Sequence, residues 1–316
     1  MNEQPNAIQP AQNAELVEHQ ALFDRLVDGM AYMVAPSTLR VYRHTFSQWR
    51  SWCSQQDLDP LALWPANVGA FLTSTPTSKG TRQHQLSALR KLAQALYLAT
   101  GDPVAERMTE ALRLVKPPAN NASENPRPKR ALTPAMADRI LRVWDGDQPM
   151  QRRNAALLSL LALTGLRRSE AAALRWSDID LENRVVSVRH GKGDKAREVA
   201  IVGDHAIEAL LAWLEHQDEG RAFVFCSVGK GGQLGADQPI TGTDVYRVVK
   251  ATEAKSGVAF RPHDLRRTFI TEALTTGTPL ADVQAQAGHA QASTTLLYAQ
   301  PVNAKERLSR MRLRYG

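Results

Sequence analysis

The segment Lys116-Pro-Pro-Ala-Asn-Asn-Ala-Ser-Glu-Asn-Pro-Arg-Pro-Lys-Arg130 limits what this chain can fold into more than any other stretch. Its prolines remove backbone donors, and its amide and basic side chains offer no large apolar surface to a core. It therefore reads as an extended linker over 116–130, with separate folding units before and after it. At 316 residues the chain is long enough for both to have a core. The basic end of the linker, Arg127, Lys129 and Arg130, would suit a segment lying along a nucleic-acid backbone, although a plain spacer would explain the same charges.

Before the linker the apolar spacing is helical throughout. Residues 1–14, rich in Asn, Gln, Pro and Ala without an apolar period, are expected to form a disordered arm. Over 15–115, Leu22, Leu26, Met30 and Met33 fall near helical spacing, and a helix is expected from Pro36-Ser37 with Ser37 as its N-cap. Val41, Phe46, Trp49 and Trp52 share one side of it, while Arg40, Arg43 and Arg50 cluster on another, as a solvated face or a phosphate-facing one. A longer helix over 79–98 carries Lys79, Arg82 and Arg90 outside a stripe of Leu86, Leu89, Leu92 and Leu96, and a last one spans 104–115. No strand signal interrupts this all-α unit.

After the linker, over 131–316, the period changes twice. Helices are expected after the Thr133 cap, over 152–163 and through Leu174. Alternation then takes over in Arg184-Val-Val-Ser-Val-Arg-His190 and Arg197-Glu-Val-Ala-Ile-Val202, which flank Gly191-Lys192-Gly193-Asp194-Lys195 and predict a β-hairpin with Lys192 near its tip. Helical spacing resumes over 204–217, 243–255, 263–275, 280–287, 292–298 and 303–313. The fold class is thus an all-α domain joined to a mixed α/β domain, mainly helical with a small antiparallel sheet.

Charge narrows the chemistry. With 39 Lys+Arg against 32 Asp+Glu, a net charge of +7 and a pI near 9.6, the chain favours a polyanionic partner. Cys53 and Cys226 lie far apart and suit a reducing cytoplasm rather than a disulfide or zinc framework. No signal peptide is indicated, and the apolar runs are too short to span a bilayer. The Gly191-Lys192-Gly193 and Gly229-Lys230-Gly231-Gly232 stretches lack the spacing of a P-loop or a dinucleotide loop, and no clustered carboxylates or histidines suggest a metal, so neither cofactor nor metal is expected.

What remains is a set of cations, imidazoles and a phenol: Arg167 with Glu170, Lys192, His263 with Arg266, His289 and Tyr298. Taken singly each has an ordinary explanation, from a surface ion pair at Arg167 and Glu170 to a packing residue at Tyr298. In order, Thr164-Gly-Leu-Arg167-x-x-Glu170, Gly-Lys192-Gly, His263-x-Leu-Arg266, Gly288-His289 and Tyr298 resemble the signature of the tyrosine recombinases, also called the phage integrase family. The match spans about 131–316, and the α-helical unit over 15–115 with its linker looks like the family's core-binding DNA domain; the N-terminal half is similar to the Cre-like branch and the catalytic half to the Xer and integrase branches. Arg168 and Arg267 point about 100° from their neighbours on a helix, so the family motif selects Arg167 and Arg266; Lys195 is a second hairpin cation.

The resemblance implies a site-specific recombinase that cleaves and rejoins double-stranded DNA through a 3′-phosphotyrosyl intermediate. Tyr298 would be the nucleophile, Arg167 and Arg266 the clamp on the phosphate, and Lys192 the acid for the leaving 5′-oxygen. His263 would assist proton transfer at Tyr298, His289 would donate to a phosphate oxygen, and Glu170 would orient the cations. It further implies inverted half-sites, a dimer on each site, a homotetramer in synapsis through a docking helix over 303–313, and a nucleoid-associated cytoplasmic location. A relaxing topoisomerase with the same chemistry and a catalytically silent DNA-binding protein on the same scaffold are the alternatives.

Overall fold

The computed structural model describes residues 10–74, 77–118, 131–189 and 196–299, and its contacts divide the chain between 126 and 127 into two units. Among the described residues, seven helices open on proline, whose fixed φ starts a helix at no cost because the first turn has no use for its missing N–H.

The first unit contains α1 (Pro10–Gly29), α2 (Pro36–Gln55), α3 (Pro65–Ser74), α4 (Lys79–Thr100) and α5 (Pro103–Leu114). Two boundaries differ from expectation for this proline reason. The helix α1 begins at Pro10, inside the arm expected over 1–14, and α2 begins at Pro36 with Ala35 at the cap position, so Ser37 is its second residue and caps nothing. Further on, Ser78 accepts from Thr81 N–H at the start of α4 and Asp102 from Val104 N–H at the start of α5. The core is built on α4, which packs against α1, α2, α3 and α5. Trp49 is fully buried, donates its indole N–H to the Pro60 carbonyl at 2.8 Å, stacks on Trp52 at 5.3 Å and meets Phe71 edge-on. Removing such a ring costs about 3–5 kcal/mol.

Two basic residues expected on the outside of this unit are not available to a ligand. Arg82 is 7% exposed. Its spacing to Leu86 and Leu89 places it on the buried stripe of α4, not beside it. Arg90 donates from Nε to the Leu112 carbonyl at 2.9 Å and from Nη2 to those of Arg113 and Val115 at 3.1 and 2.6 Å, so its guanidinium closes the C-terminus of α5.

The second unit contains α6 (Pro134–Leu141), α7 (Pro149–Thr164), α8 (Arg168–Ala172), β1 (Ile179–Asp180), β2 (Val185–Val188), β3 (Arg197–Ala200), α9 (Asp204–Leu214), α10 (Gly242–Ser256), α11 (Pro262–Thr275), α12 (Leu280–Ala287) and α13 (Ala292–Leu296). The sheet is antiparallel in the order β1-β2-β3, with Val186 opposite Val199 and Val188 opposite Arg197. This is the expected hairpin; its tip, residues 190–195, and the segment 303–313 lie outside the described residues. The apolar helix α7 runs through the core, with Leu157, Leu158, Leu160 and Leu161 all at most 1% exposed, and packs against α6, α8, α9 and α11. Two links bring its C-terminal end to the sheet and to α12. Val202 N–H donates to the Leu163 carbonyl at 3.0 Å. The Gln286 amide donates to the carbonyls of Thr164 and Ala200 and accepts from Ala200 N–H. The end of α7, β3, α11 and α12 therefore meet at one place.

Candidate active site

At that meeting point α7 ends in a turn that only glycine fits. Gly165 has φ +68°, and a Cβ there would sit 2.7 Å from the Phe269 ring. Thr164 stabilises the turn, its hydroxyl donating to the Leu160 carbonyl at 2.5 Å and accepting from Leu166 N–H at 3.2 Å. The chain reverses and delivers Arg167 to the start of α8, where its N–H donates to Glu170 Oε2 at 2.8 Å and its Nη1 to Oε1 at 2.7 Å.

The Glu170 side chain is 4% exposed and is held by a second guanidinium. Arg197, at the first position of β3, donates from Nη1 to Oε1 at 3.0 Å and from Nη2 to Oε2 at 2.9 Å. Burial alone would raise the carboxyl pKa, but the hydrogen bonds from Arg197 and Arg167 outweigh it and hold Glu170 at about 2. It is a carboxylate at any working pH.

Arg167 and Arg266 converge on the other side of the site at the C-terminus of α12. Arg167 Nη2 donates to the Gly288 carbonyl at 2.7 Å, and Arg266 Nη2 donates to that of Ala287 at 2.5 Å. These are the last, otherwise unused carbonyls of a helix, where its dipole favours cations. Arg266 Nη1 completes the frame by donating to the Gly165 carbonyl at 2.5 Å. Arg266 is only 2% exposed; burial first, then the neighbouring Arg167, lowers it to about 10, so it stays charged near neutrality. Among the described residues, three guanidiniums gather around the one carboxylate of Glu170, which leaves a fixed surplus of positive charge suited to a phosphodiester.

Gly288, with φ +62°, turns the chain out of α12 into His289. Gln284 locks that turn, its carbonyl accepting from His289 N–H and its side-chain amide donating to the His289 carbonyl. Burial, then the charges of Arg266 and Arg167, lower the His289 ring to about 4, so it is neutral at physiological pH. Its Nδ1 lies 2.9 Å from the hydroxyl of Thr295, which is fully buried on α13. Tyr298 follows α13, packs on the small apolar cluster of Ile270, Val283 and Ala287, and stacks on the His289 ring at 5.9 Å between centroids. The hydroxyl of Tyr298 stands 3.5 Å from His263 Nε2, a contact that must shorten before a proton could pass.

Six of the expected residues therefore come together: Arg167, Glu170, His263, Arg266, His289 and Tyr298. Lys192 and its alternative Lys195 lie outside the described residues, as do Arg127, Lys129 and Arg130. Of the neighbouring arginines, Arg168 lies against Gly242 at the start of α10, away from the site. Arg267 does turn toward it, with its guanidinium carbon 5.0 Å from the centre of the Tyr298 ring. In the first unit Arg40 and Lys79 are exposed, and Arg43 and Arg50 are exposed too while pairing with Asp28 and Asp24 on α1. No group of metal-ligating side chains and no helix long and apolar enough to cross a membrane occurs among the described residues.

Sequence reasoning missed Arg197, Gln286 and Thr295. Arg197 had a legible signal: it lies two residues before the buried Val199 on β3, so alternation puts this cation on the inward face. Gln286 and Thr295 carried none, because helical spacing alone does not reveal which polar side chain will find a partner.

The model of the phage integrase family matches residues 130–305. A tyrosine recombinase XerC of Xanthomonas campestris pv. campestris (strain B100) is 33% identical over 274 residues, covering 84% of this chain and 79% of its own. A tyrosine recombinase XerD of Yersinia pestis is 30% identical over 289 residues, covering 88% of this chain and 90% of its own. Among solved structures, the XerH site-specific recombinase bound to a palindromic difH substrate shares the fold, with a TM-score of 0.66, 20% identity, and coverage of 97% of this chain and 90% of that one.

Proposed function

The chain belongs to the phage integrase family of tyrosine site-specific recombinases, and from that premise we propose that Tyr298 attacks a DNA phosphodiester and carries the cleaved strand. The tyrosine oxygen bonds to phosphorus as the bond to the 5′-oxygen breaks, leaving a 3′-phosphotyrosyl link and a free 5′-hydroxyl. One phosphodiester replaces another, so rejoining to a new strand needs no external energy source. His263, beside the Tyr298 hydroxyl, receives the phenolic proton, and Lys192 supplies one to the leaving 5′-oxygen. Arg167 and Arg266 stabilise the charge that builds on the nonbridging oxygens, aided by an N–H of the neutral His289 ring. Because their guanidiniums are already fixed by Glu170 and by the carbonyls of Gly165, Ala287 and Gly288, little reorganisation is needed as that charge develops.

The observation that carries this reading is the tyrosine hydroxyl held beside an imidazole and a buried guanidinium cluster. The all-α unit and the segment 116–130 supply further contacts to duplex DNA, and two inverted half-sites each hold one protomer. Exchange between two sites then takes place in a tetramer coupled by residues 303–313, in the cytoplasm with the DNA of the nucleoid.

The test uses a nicked suicide substrate that traps the covalent complex. The unaltered chain should form an adduct stable to denaturant, and Tyr298→Phe should bind the same DNA and form none. An adduct formed by Tyr298→Phe would remove Tyr298 as the nucleophile. On a plasmid with two sites, supercoil relaxation without rearranged products would replace recombinase by topoisomerase.

A further inference from the structure

We propose that Arg197 is a positioning residue for strand cleavage: it fixes Glu170 so that Arg167 is aimed at the scissile phosphate, and it ties the strand returning from the Lys192 loop to the turn carrying His289. The proposal rests on the reading of the site as a phosphotyrosine centre and adds a residue to it.

Three contacts carry the inference. Arg197 faces Glu170 as a fork, with each terminal nitrogen on a different carboxylate oxygen at 3.0 and 2.9 Å. The same two oxygens accept from Arg167 Nη1 and N–H, so Glu170 is gripped from β3 and from α8 together. The remaining nitrogen of Arg197, Nε, donates to the Gln286 carbonyl at 3.3 Å in the last turn of α12. Packing closes the third side, because a Cβ on Gly288 would lie 2.8 Å from Arg197 Nε, a space that glycine alone leaves open. Each nitrogen of the guanidinium is thus turned to protein, and its side chain is 12% exposed. Arg197 commits its nitrogens to the Glu170 carboxylate and the α12 backbone, and acts on the phosphate through Arg167, which shares that carboxylate.

The electrostatics give the role a readout that a merely structural residue would not move. The charged groups around Glu170 among the described residues are Arg167 at the start of α8, Arg197 on β3 and Arg266 on α11, with His289 adjoining the same guanidiniums. Burial works to protonate Glu170 and hydrogen bonds from Arg197 work against it. Loss of Arg197 therefore raises the carboxyl pKa, and Arg167 loses its carboxylate partner as the pH falls through the new value.

The experiment measures the rate of covalent adduct formation on the suicide substrate, and DNA affinity by gel shift, as a function of pH. Arg197→Gln should cleave about 10- to 100-fold more slowly than the unaltered chain, as expected for a small misplacement of a reacting group, with DNA affinity retained. The loss should deepen toward acid pH and be absent when Arg197→Gln is added to Glu170→Gln. Arg197→Lys, which keeps the charge without the fork, should restore part of the rate and the pH profile. Cleavage by Arg197→Gln at the unaltered rate would overturn the proposal, as would an equal loss at every pH that adds in full to that of Glu170→Gln. Failure of the unaltered chain to form any adduct would instead overturn the phosphotyrosine reading, and this proposal with it.

Discussion

At the scale of single residues the proposed chemistry relies on neutral and charged donors that are fixed in advance. Thr295 shows how far this extends from the reacting atoms. With the His289 ring neutral, only one of its nitrogens carries a proton, and for Nε2 to be the donor the Thr295 hydroxyl must donate to Nδ1. Thr295→Val keeps the shape of this fully buried side chain and removes the hydroxyl. It should slow adduct formation about tenfold while leaving DNA binding intact, and Thr295→Ser should retain most of the rate. Single-turnover cleavage checks this, and an equal loss with Ser and Val would mean that Thr295 acts through packing. Thr295 was invisible in the sequence, one of two adjacent threonines on a short polar stretch. Arg167, Arg266 and Tyr298 were legible only through their order along the chain, since each alone has a commonplace structural explanation.

At the scale of elements the decisive feature is the C-terminus of α12. Its final carbonyls hold Arg167 and Arg266, its last side chains join β3, and the glycine beyond it makes room for Arg197. Gly288→Ala combines left-handed strain, about 1–2 kcal/mol, with a collision against Arg197. Gly101 is the control, because it has nearly the same backbone, φ +64°, and nothing within 4 Å of an added Cβ. Both alanine variants should lower the unfolding midpoint, and only Gly288→Ala should also slow cleavage. A Gly288→Ala enzyme that cleaves at the unaltered rate would show that the close approach has no bearing on the chemistry. Element positions were largely readable in advance, with α11 and α12 found within a residue of expectation, because apolar period and proline placement are local properties. Arg82 is the instructive failure: its charge suggested the surface, but its place on the stripe of α4 put it inside.

At the scale of the whole molecule the chain is basic in net charge, +7, and the ion pairs of Arg43 with Asp28 and Arg50 with Asp24 are exposed, so they cost little to exchange for phosphate. The proposed coupling between protomers depends on the C-terminal segment. Deleting residues 303–316 also removes Lys305, Arg307, Arg310, Arg312 and Arg314, so binding to a single site should weaken in a salt-dependent way, while two-site complexes and recombinant products should be abolished. Native gels of one-site and two-site DNA check this, and full recombination by the truncated chain would move the coupling to another surface. The sequence by itself determined the division into two units, the helical and hairpin elements, and the motif order that marks the family. Each of these is written in spacings along the chain. Only the tertiary structure decided that Arg197 grips Glu170, that Arg267 lies over Tyr298 and that Thr295 meets His289, because those contacts join residues from different elements whose meeting depends on how the helices and sheet pack.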